Sequence, residues 1–99
     1  MRLTTEQAET IRQKAKARFG TSARVWLFGS RVDDNARGGD IDLLVHTATV
    51  PENAFRQSVA LETDLQLALG DQKIDILLEH PGVEETPLHR IARNCGIEL

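Results

Sequence analysis

Apolar and polar positions along the chain follow helical spacing in some segments and form short continuous runs in others. A helix is predicted over residues 5–19, where apolar side chains recur at helical spacing, namely Ala8, Ile11, Ala15 and Phe19. Thr4 and Gln7 form a capping-box pair at its start, and Gly20 stands where such a helix would stop. Short apolar runs predict strands over 25–28, 41–45 and 73–79.

Two further helices are predicted between and after these strands. Thr49 and Glu52 form a second capping-box pair, with Pro51 inside the first turn, and Gly70 can end this helix. Its apolar positions are Phe55, Val59, Leu61, Leu65 and Leu69. We expect them in the core, with part of the stripe left to face a partner or a second copy of the chain.

The last helix is predicted to start after Thr86, with Pro87 near its N-terminus, and to stop near Gly96. It carries three apolar residues, Leu88, Ile91 and Ala92. Residues 97–99 are left open as a short terminal strand or a tail. The order α-β-turn-β-α-β-α predicts an α+β fold, an α/β sandwich with a small mixed sheet flanked by helices. Strand order does not follow from this pattern.

The candidate chemistry lies where the first predicted strand ends and the second begins. Gly29 and Ser30 form a turn that can begin a short helix, whose free N–H groups would favour a phosphate. Asp40 and Asp42 lie at i and i+2, so both carboxylates point to one face of a strand. A phosphate-binding turn beside paired carboxylates is what metal-dependent phosphoryl or nucleotidyl transfer requires.

Asp75 interrupts the otherwise apolar third strand. A buried, unpaired carboxylate costs several kcal/mol, so Asp75 is expected at the edge of the sheet, beside a cation or on a metal ion. If its strand neighbours that of Asp40 and Asp42, three carboxylates converge, which suits Mg²⁺ or Mn²⁺ and allows two ions. Arg31 either contacts phosphate, since guanidinium matches phosphate geometry, or remains a surface residue.

Length, charge and cysteine content narrow the function classes. The chain has 99 residues, which predicts one domain over 1–99 with one modest core, so a partner is expected to supply acceptor recognition. Its net charge of −3 provides no basic field, so DNA or RNA binding is not expected. A single cysteine excludes an internal disulfide, and no signal peptide or membrane span is evident. We therefore expect a soluble, cytoplasmic protein.

Three segments carry a resemblance to a known family: the LFGSR turn, the DIDLLV strand and the KIDILLE strand. Together they resemble the polymerase-beta-type nucleotidyltransferase superfamily, and most of all its minimal nucleotidyltransferases, the antitoxin half of MNT–HEPN toxin–antitoxin pairs. The family pattern of Gly-Ser, Asp-x-Asp and a distant third Asp matches Gly29, Ser30, Asp40, Asp42 and Asp75 one by one. The loop after Ser30 is slightly shorter than the usual one.

This resemblance implies a function and a set of residue roles. It implies a Mg²⁺-dependent enzyme with a polymerase-beta-type fold that transfers AMP from ATP, with Asp40, Asp42 and Asp75 as metal ligands. Gly29, Ser30 and Arg31 would contact the triphosphate. The implied acceptor is a tyrosine hydroxyl of a HEPN-type toxin partner, which the transfer would neutralise. The chain itself contains no tyrosine, so transfer to its own tyrosine is excluded.

Two other functions stay open at this point. In the first, the chain is a non-catalytic module that masks a HEPN ribonuclease by binding it, with the aspartates as relics or structural ligands. In the second, it is a small-molecule nucleotidyltransferase of the aminoglycoside-modifying kind, although those enzymes usually carry an additional acceptor domain.

Overall fold

The secondary structure follows the predicted order along the chain. The computed structural model describes residues 3–32, 40–70 and 72–99. Within these residues lie α1 (Thr5–Phe19), β1 (Arg24–Phe28), β2 (Ile41–His46), α2 (Ala54–Leu69), β3 (Ile74–Glu79), α3 (Pro87–Cys95) and β4 (Ile97–Glu98). A single 3-10 turn, Gly29–Val32, follows β1. The α+β prediction is confirmed, and the predicted loop over 33–39 lies outside the described residues.

The four strands form one mixed sheet in the order β3-β2-β1-β4. Strands β2 and β3 are parallel, and α2 makes the crossover that parallel neighbours need. Strand β1 runs antiparallel to both β2 and β4. This order puts β3 at one edge and β1 and β2 in the centre, so the end of β1 and the starts of β2 and β3 meet at one end of the sheet.

The sheet separates two apolar clusters. On one face, α1 and α2 pack on inward-facing strand residues to form the main cluster, which includes Ile11, Ala15, Val25, Leu27, Ile41, Leu43, Val45, Leu61, Leu65 and Ile74. On the other face, α3 contributes Ala92 to a smaller cluster with Trp26, Phe28 and Leu44. The alternation in β2 is therefore confirmed, and it directs Asp42 to the face that α3 covers only in part.

Local hydrogen bonds hold the helix ends. Thr4 and Gln7 form the predicted capping box of α1, and Gly20 follows its last residue with a φ of 101°. Helix α3 has an analogous box that the sequence analysis did not identify. The backbone N–H of Thr86 donates to His89 Nδ1 (3.1 Å), and His89 Nε2 lies 2.9 Å from the carbonyl oxygen of Leu78. His89, 3% exposed, thus ties α3 to β3.

The predicted start of α2 is wrong. Helix α2 begins at Ala54, its N-cap residue is Asn53 in the left-handed region (φ 51°), and no side chain caps it. The Thr49–Glu52 pair does not form a capping box, because these residues precede the helix. The Thr47 hydroxyl instead donates to the Thr49 carbonyl oxygen (2.8 Å), and a turn over 52–53 follows before the helix begins.

The apolar stripe of α2 is only partly buried. Leu61 and Leu65 are fully buried, and Leu69 packs against the main cluster. Phe55 and Val59 are 82% and 46% exposed, so the expectation that they lie in the core is wrong. Phe55 and Val59, four residues apart, share a face of α2 that differs from the face of Leu61 and Leu65. In the part of the chain that the structure describes, no helix is long and apolar enough to cross a membrane.

Removing the cap of α3 is expected to lower stability measurably. Thr86→Ala deletes the hydroxyl that accepts from the His89 N–H, which typically costs about 1 kcal/mol. For a domain of this size that corresponds to a melting temperature lower by about 4–8 °C. Thr63→Ala, at an exposed position of α2, is the matched control and should leave the melting temperature nearly unchanged. Equal shifts in both variants, measured by thermal unfolding, would contradict the capping role.

Candidate active site

Two carboxylates face each other across the parallel strands β2 and β3. Asp42 is the register partner of Asp75, and on its other side it is paired with Phe28 at the end of β1. Asp42 is half-buried, whereas Asp75 is exposed on the edge strand. Of the three places expected for Asp75, the structure shows the sheet edge, directly beside Asp42.

The environment of Asp42 disfavours its charged form. Burial raises the pKa of the Asp42 carboxyl above its usual value, and repulsion from the nearby charges of Asp75 and Asp40 raises it further. The positive charge of Lys73 acts in the opposite direction, and a hydrogen bond with the Asp75 carboxyl adds to the increase in pKa. Among the described residues, Asp42 is therefore the centre of a carboxylate cluster in which the charge of Lys73 offsets only part of the effect of burial and of the neighbouring negative charges.

Asp40 lies just before β2 and is joined to the residue that precedes β3. Its Oδ2 is 3.5 Å from Nζ of Lys73, and both side chains are substantially exposed. An exposed ion pair of this kind contributes little to stability and is readily exchanged for another partner. Lys73 is thus placed at the site although the sequence analysis did not assign it there. Its position two residues before Asp75, on the same face, is the signal that points to it.

The turn after β1 lies against the Asp42 carboxylate. Gly29 has a φ of 77°, a conformation that favours glycine. A Cβ atom built on Gly29 would overlap Oδ2 of Asp42 and lie 3.2 Å from its Cγ. The absence of a side chain at this position therefore allows the backbone of the turn and the carboxylate to lie together. The contact of Gly29 with phosphate stays a prediction.

The other two predicted phosphate contacts lie in the same turn. Ser30 and Arg31 both belong to the 3-10 turn Gly29–Val32. The guanidinium of Arg31 donates from Nη2 to Oε1 of Gln72 (2.9 Å), so it bridges from this turn to the residue two before β3. Arg31 is partly buried rather than a free surface side chain, and its contact with phosphate stays a prediction.

The donor set has the chemistry that a hard divalent cation needs. Among residues 3–32, 40–70 and 72–99, no group of three or more His, Cys, Asp or Glu is arranged to hold a metal ion. The pair Asp42–Asp75 nevertheless presents oxygen ligands whose mutual repulsion a cation would relieve, and the charge of Asp40 acts on the same pair. These residues fit Mg²⁺ or Mn²⁺, and the assignment of Asp40, Asp42 and Asp75 as ligands stays a prediction.

An apolar cleft opens next to the carboxylate pair. Its volume is about 450 Å³, and its lining residues are Phe28, Gly29, Asp42, Asp75, Ile76, Leu77, Leu88 and Ile91. The two α3 residues Leu88 and Ile91 are apolar but 48% and 53% exposed. Helix α3 instead buries His89 and Ala92, and a histidine in a helix core has no signature in a purely apolar pattern.

The fold and the site define the class of the protein. An α+β domain with a glycine turn against paired carboxylates on adjacent strands is the arrangement expected of a nucleotidyltransferase core. A family model described as a nucleotidyltransferase domain matches residues 8–97, and the chain therefore belongs to that family, within the polymerase-beta superfamily. The matched region includes the glycine turn and all three predicted carboxylates. No curated protein matches the chain.

The raised pKa of Asp42 leads to a prediction about stability in the absence of divalent cations. The Asp42 carboxyl has a higher pKa in the folded state than in the unfolded state. The free energy of unfolding therefore falls as the pH rises from the pKa of the unfolded state through that of the folded state. Asp42→Asn removes that charge, so at pH 7 with a chelator the variant should melt above wild type. The difference should disappear near pH 3, where the carboxyl is protonated in both states.

Added Mg²⁺ should reverse this order. Wild type is expected to gain stability from the cation and Asp42→Asn to gain little, as measured by melting curves with chelator and with Mg²⁺. The control is Asp64→Asn, whose carboxylate pairs with Arg18 on the opposite side of the fold and has a pKa lowered by that pairing. If Asp42→Asn melted below wild type at pH 7 in chelator, this would contradict the claim that the negative charge of Asp42 lowers the stability of the folded state.

Proposed function

We propose that this chain is a Mg²⁺-dependent enzyme that transfers AMP from ATP to a tyrosine hydroxyl of a HEPN-type toxin partner and so acts as its antitoxin. The observation that carries the transfer is the pairing of Asp42 with Asp75 beside the Gly29 turn. Membership of the nucleotidyltransferase family supports nucleotidyl transfer. The resemblance to minimal nucleotidyltransferases supports the choice of acceptor and the antitoxin role.

The position of each residue in the site suggests its role in the proposed reaction. Asp42, Asp40 and Asp75 would hold the divalent cations, which when bound neutralise phosphate charge and polarise the transferred phosphoryl group. The turn from Gly29 to Arg31 would hold the triphosphate through backbone N–H groups and the guanidinium. Asp75, on the exposed edge of the sheet, is the carboxylate nearest to an acceptor that arrives from solvent.

The reaction is a single substitution at the α-phosphorus of ATP. The phenol oxygen of the acceptor forms a bond to that phosphorus, and the bond between it and the oxygen bridging to the β-phosphate breaks, so pyrophosphate leaves. The phenol proton passes to a carboxylate oxygen of Asp75 and then to solvent. The acceptor oxygen and the leaving oxygen lie on opposite sides of the α-phosphorus. The leaving pyrophosphate would therefore lie toward the Gly29 turn, and the acceptor would lie toward Asp75. This arrangement is compatible with β1 and β3, which lie on opposite sides of Asp42.

The direct test is transfer of label from ATP to a protein acceptor. The purified chain is mixed with Mg²⁺, ATP labelled at the α-phosphate and a lysate of its source organism, and labelled proteins are separated and identified. We expect one labelled band whose modified residue is a tyrosine. Absence of any labelled protein, together with stable capture of a HEPN partner, would overturn the enzymatic proposal in favour of the masking module. Label on an aminoglycoside-like small molecule alone would favour the third class.

A further inference from the structure

The cleft beside the carboxylates is apolar although it lies at a charged site. Four side chains form its apolar walls: Phe28 from β1, Leu77 from β3, and Leu88 and Ile91 from α3. We call these four residues with Asp75 at their end the acceptor cleft. Leu88 and Ile91 are about half exposed, so part of each side chain packs against neither of the two apolar clusters. Its volume, about 450 Å³, lies within the range of roughly 300–1,000 Å³ typical of small-ligand sites.

The wall that α3 provides is held firmly against the sheet. His89 lies between Leu88 and Ile91 along the helix, is 3% exposed, and reaches the Leu78 carbonyl oxygen at 2.9 Å. At the other end of α3, a Cβ on Gly96 would overlap the Ala92 carbonyl oxygen and lie 2.9 Å from that of Leu27. Glycine there lets the chain pass close to β1. Leu88 and Ile91 are therefore fixed in position rather than carried on a loose segment.

We propose that the acceptor cleft binds the aromatic ring of the tyrosine that receives AMP, with Leu88 and Ile91 as the specificity-determining residues. This inference rests on the proposed function. The ring would lie between α3 and Leu77 with its hydroxyl at the Asp75 end, next to the carboxylate pair. The cleft would thus select a phenol over the short hydroxyl side chains of serine and threonine, which cannot fill apolar walls.

The polar groups of the cleft distinguish a phenol ring from a nucleobase. Among the described residues that line it, only Asp42 and Asp75 carry polar side chains. Both are needed at the phosphorus that reacts, and neither donates a hydrogen bond when ionised. A purine has several ring nitrogens that accept hydrogen bonds, and the cleft's side chains would not donate to any of them. A phenol has one hydroxyl, and its place is at the carboxylate end.

The first test is binding of single-residue probes, observed through methyl NMR signals of the whole chain. N-acetyl-tyrosinamide is expected to shift the methyl signals of Leu77, Leu88 and Ile91 and to leave that of Leu67, 83% exposed on α2, in place. N-acetyl-serinamide should shift none of these signals at the same concentration. A non-hydrolysable ATP analogue with Mg²⁺ that shifts Leu88 and Ile91 directly and competes with the tyrosine probe would overturn the proposal and make the cleft a base site.

The second test is a kinetic one with the labelled partner protein as acceptor. Leu88→Ala and Ile91→Ala should each raise the KM for the partner about tenfold, while the KM for ATP stays within about twofold of wild type. Leu67→Ala, the same kind of truncation on α2, is the matched control. Leu88→Met should restore most of the acceptor affinity, because it refills the volume. A rise in the KM for ATP instead, or no change in either KM, would overturn the proposal.

The two tests separate this inference from the function on which it rests. If wild type transfers no label to any protein while N-acetyl-tyrosinamide still shifts Leu88 and Ile91, the transfer proposal fails and the tyrosine site stands. If wild type transfers AMP to a serine or threonine of the partner, nucleotidyl transfer stands and the acceptor cleft assignment fails.

Discussion

Asp42→Asn is expected to reduce AMP transfer by roughly 10³-fold or more, since a bound divalent ion contributes several kcal/mol to phosphoryl transfer. Asp42 lies between the Gly29 turn and Asp75, and its carboxylate is close to both of them. An amide of the same shape keeps the packing but removes the negative charge that holds a cation. The measurement is the initial rate of label transfer from ATP to the identified partner, with ATP and Mg²⁺ at saturating concentrations.

The matched control for this change is Asp64→Asn. Asp64 is a carboxylate on α2 that binds the Arg18 guanidinium through two hydrogen bonds of 2.7 and 3.1 Å, away from the carboxylate pair. An exposed ion pair of this kind contributes little to stability, so its loss should leave the transfer rate near that of wild type. Full activity in Asp42→Asn would contradict the metal-site assignment, whereas equal losses in both variants would indicate a general defect in folding.

The same pair of variants distinguishes catalysis from masking inside cells. Co-expression of the partner with wild type should allow growth if the chain neutralises a toxin. Under the proposed function, Asp42→Asn fails to restore growth and Asp64→Asn restores it. Rescue by both variants would mean that binding alone neutralises the partner, and the masking module would then replace the enzymatic proposal.

Local patterns were sufficient to predict most of the elements and to single out Asp40 and Asp42 as two carboxylates spaced at i and i+2. The capping box at Thr4 and the alternation in β2 depend on residues close together in the chain, so they are visible in the sequence. The strand order was not predictable, because it depends on long-range packing. Only the register of β2 and β3 shows that Asp75 lies beside Asp42 rather than elsewhere on the sheet edge.

The errors have a common cause, which is competition among local interactions and burial that sequence spacing does not reveal. Before α2, the Thr47 hydroxyl donates a hydrogen bond to the Thr49 carbonyl oxygen, and the helix begins only after Asn53. In α3, the capping bond of Thr86 and the carbonyl of Leu78 satisfy both nitrogens of His89. That histidine can therefore occupy the buried side, and it leaves Leu88 and Ile91 facing the cleft. The chemistry of the acceptor cleft was missed for this reason.

Gly29→Ala is expected to lower AMP transfer by about 10²-fold, because misplacing a reacting group by a fraction of its contact distance has effects of this order. The added methyl group would overlap Oδ2 of Asp42, so either the turn or the carboxylate must move. The φ of 77° also disfavours alanine, at a cost of about 1–2 kcal/mol in the free energy of unfolding. Transfer rates and urea unfolding of the same preparation measure the two effects separately.

Gly82→Ala separates backbone strain from the collision with Asp42. Gly82 has a φ of 93°, and nothing lies within 4 Å of a Cβ built there, so alanine at this position introduces the strain alone. Gly29→Ala should therefore lose at least as much stability as Gly82→Ala, and only Gly29→Ala should lose activity beyond that expected from unfolding. Adding the second substitution Asp42→Asn to Gly29→Ala should reduce activity little further, because both changes act on the same carboxylate. Additive losses would instead mean that Gly29 acts on the triphosphate independently of Asp42.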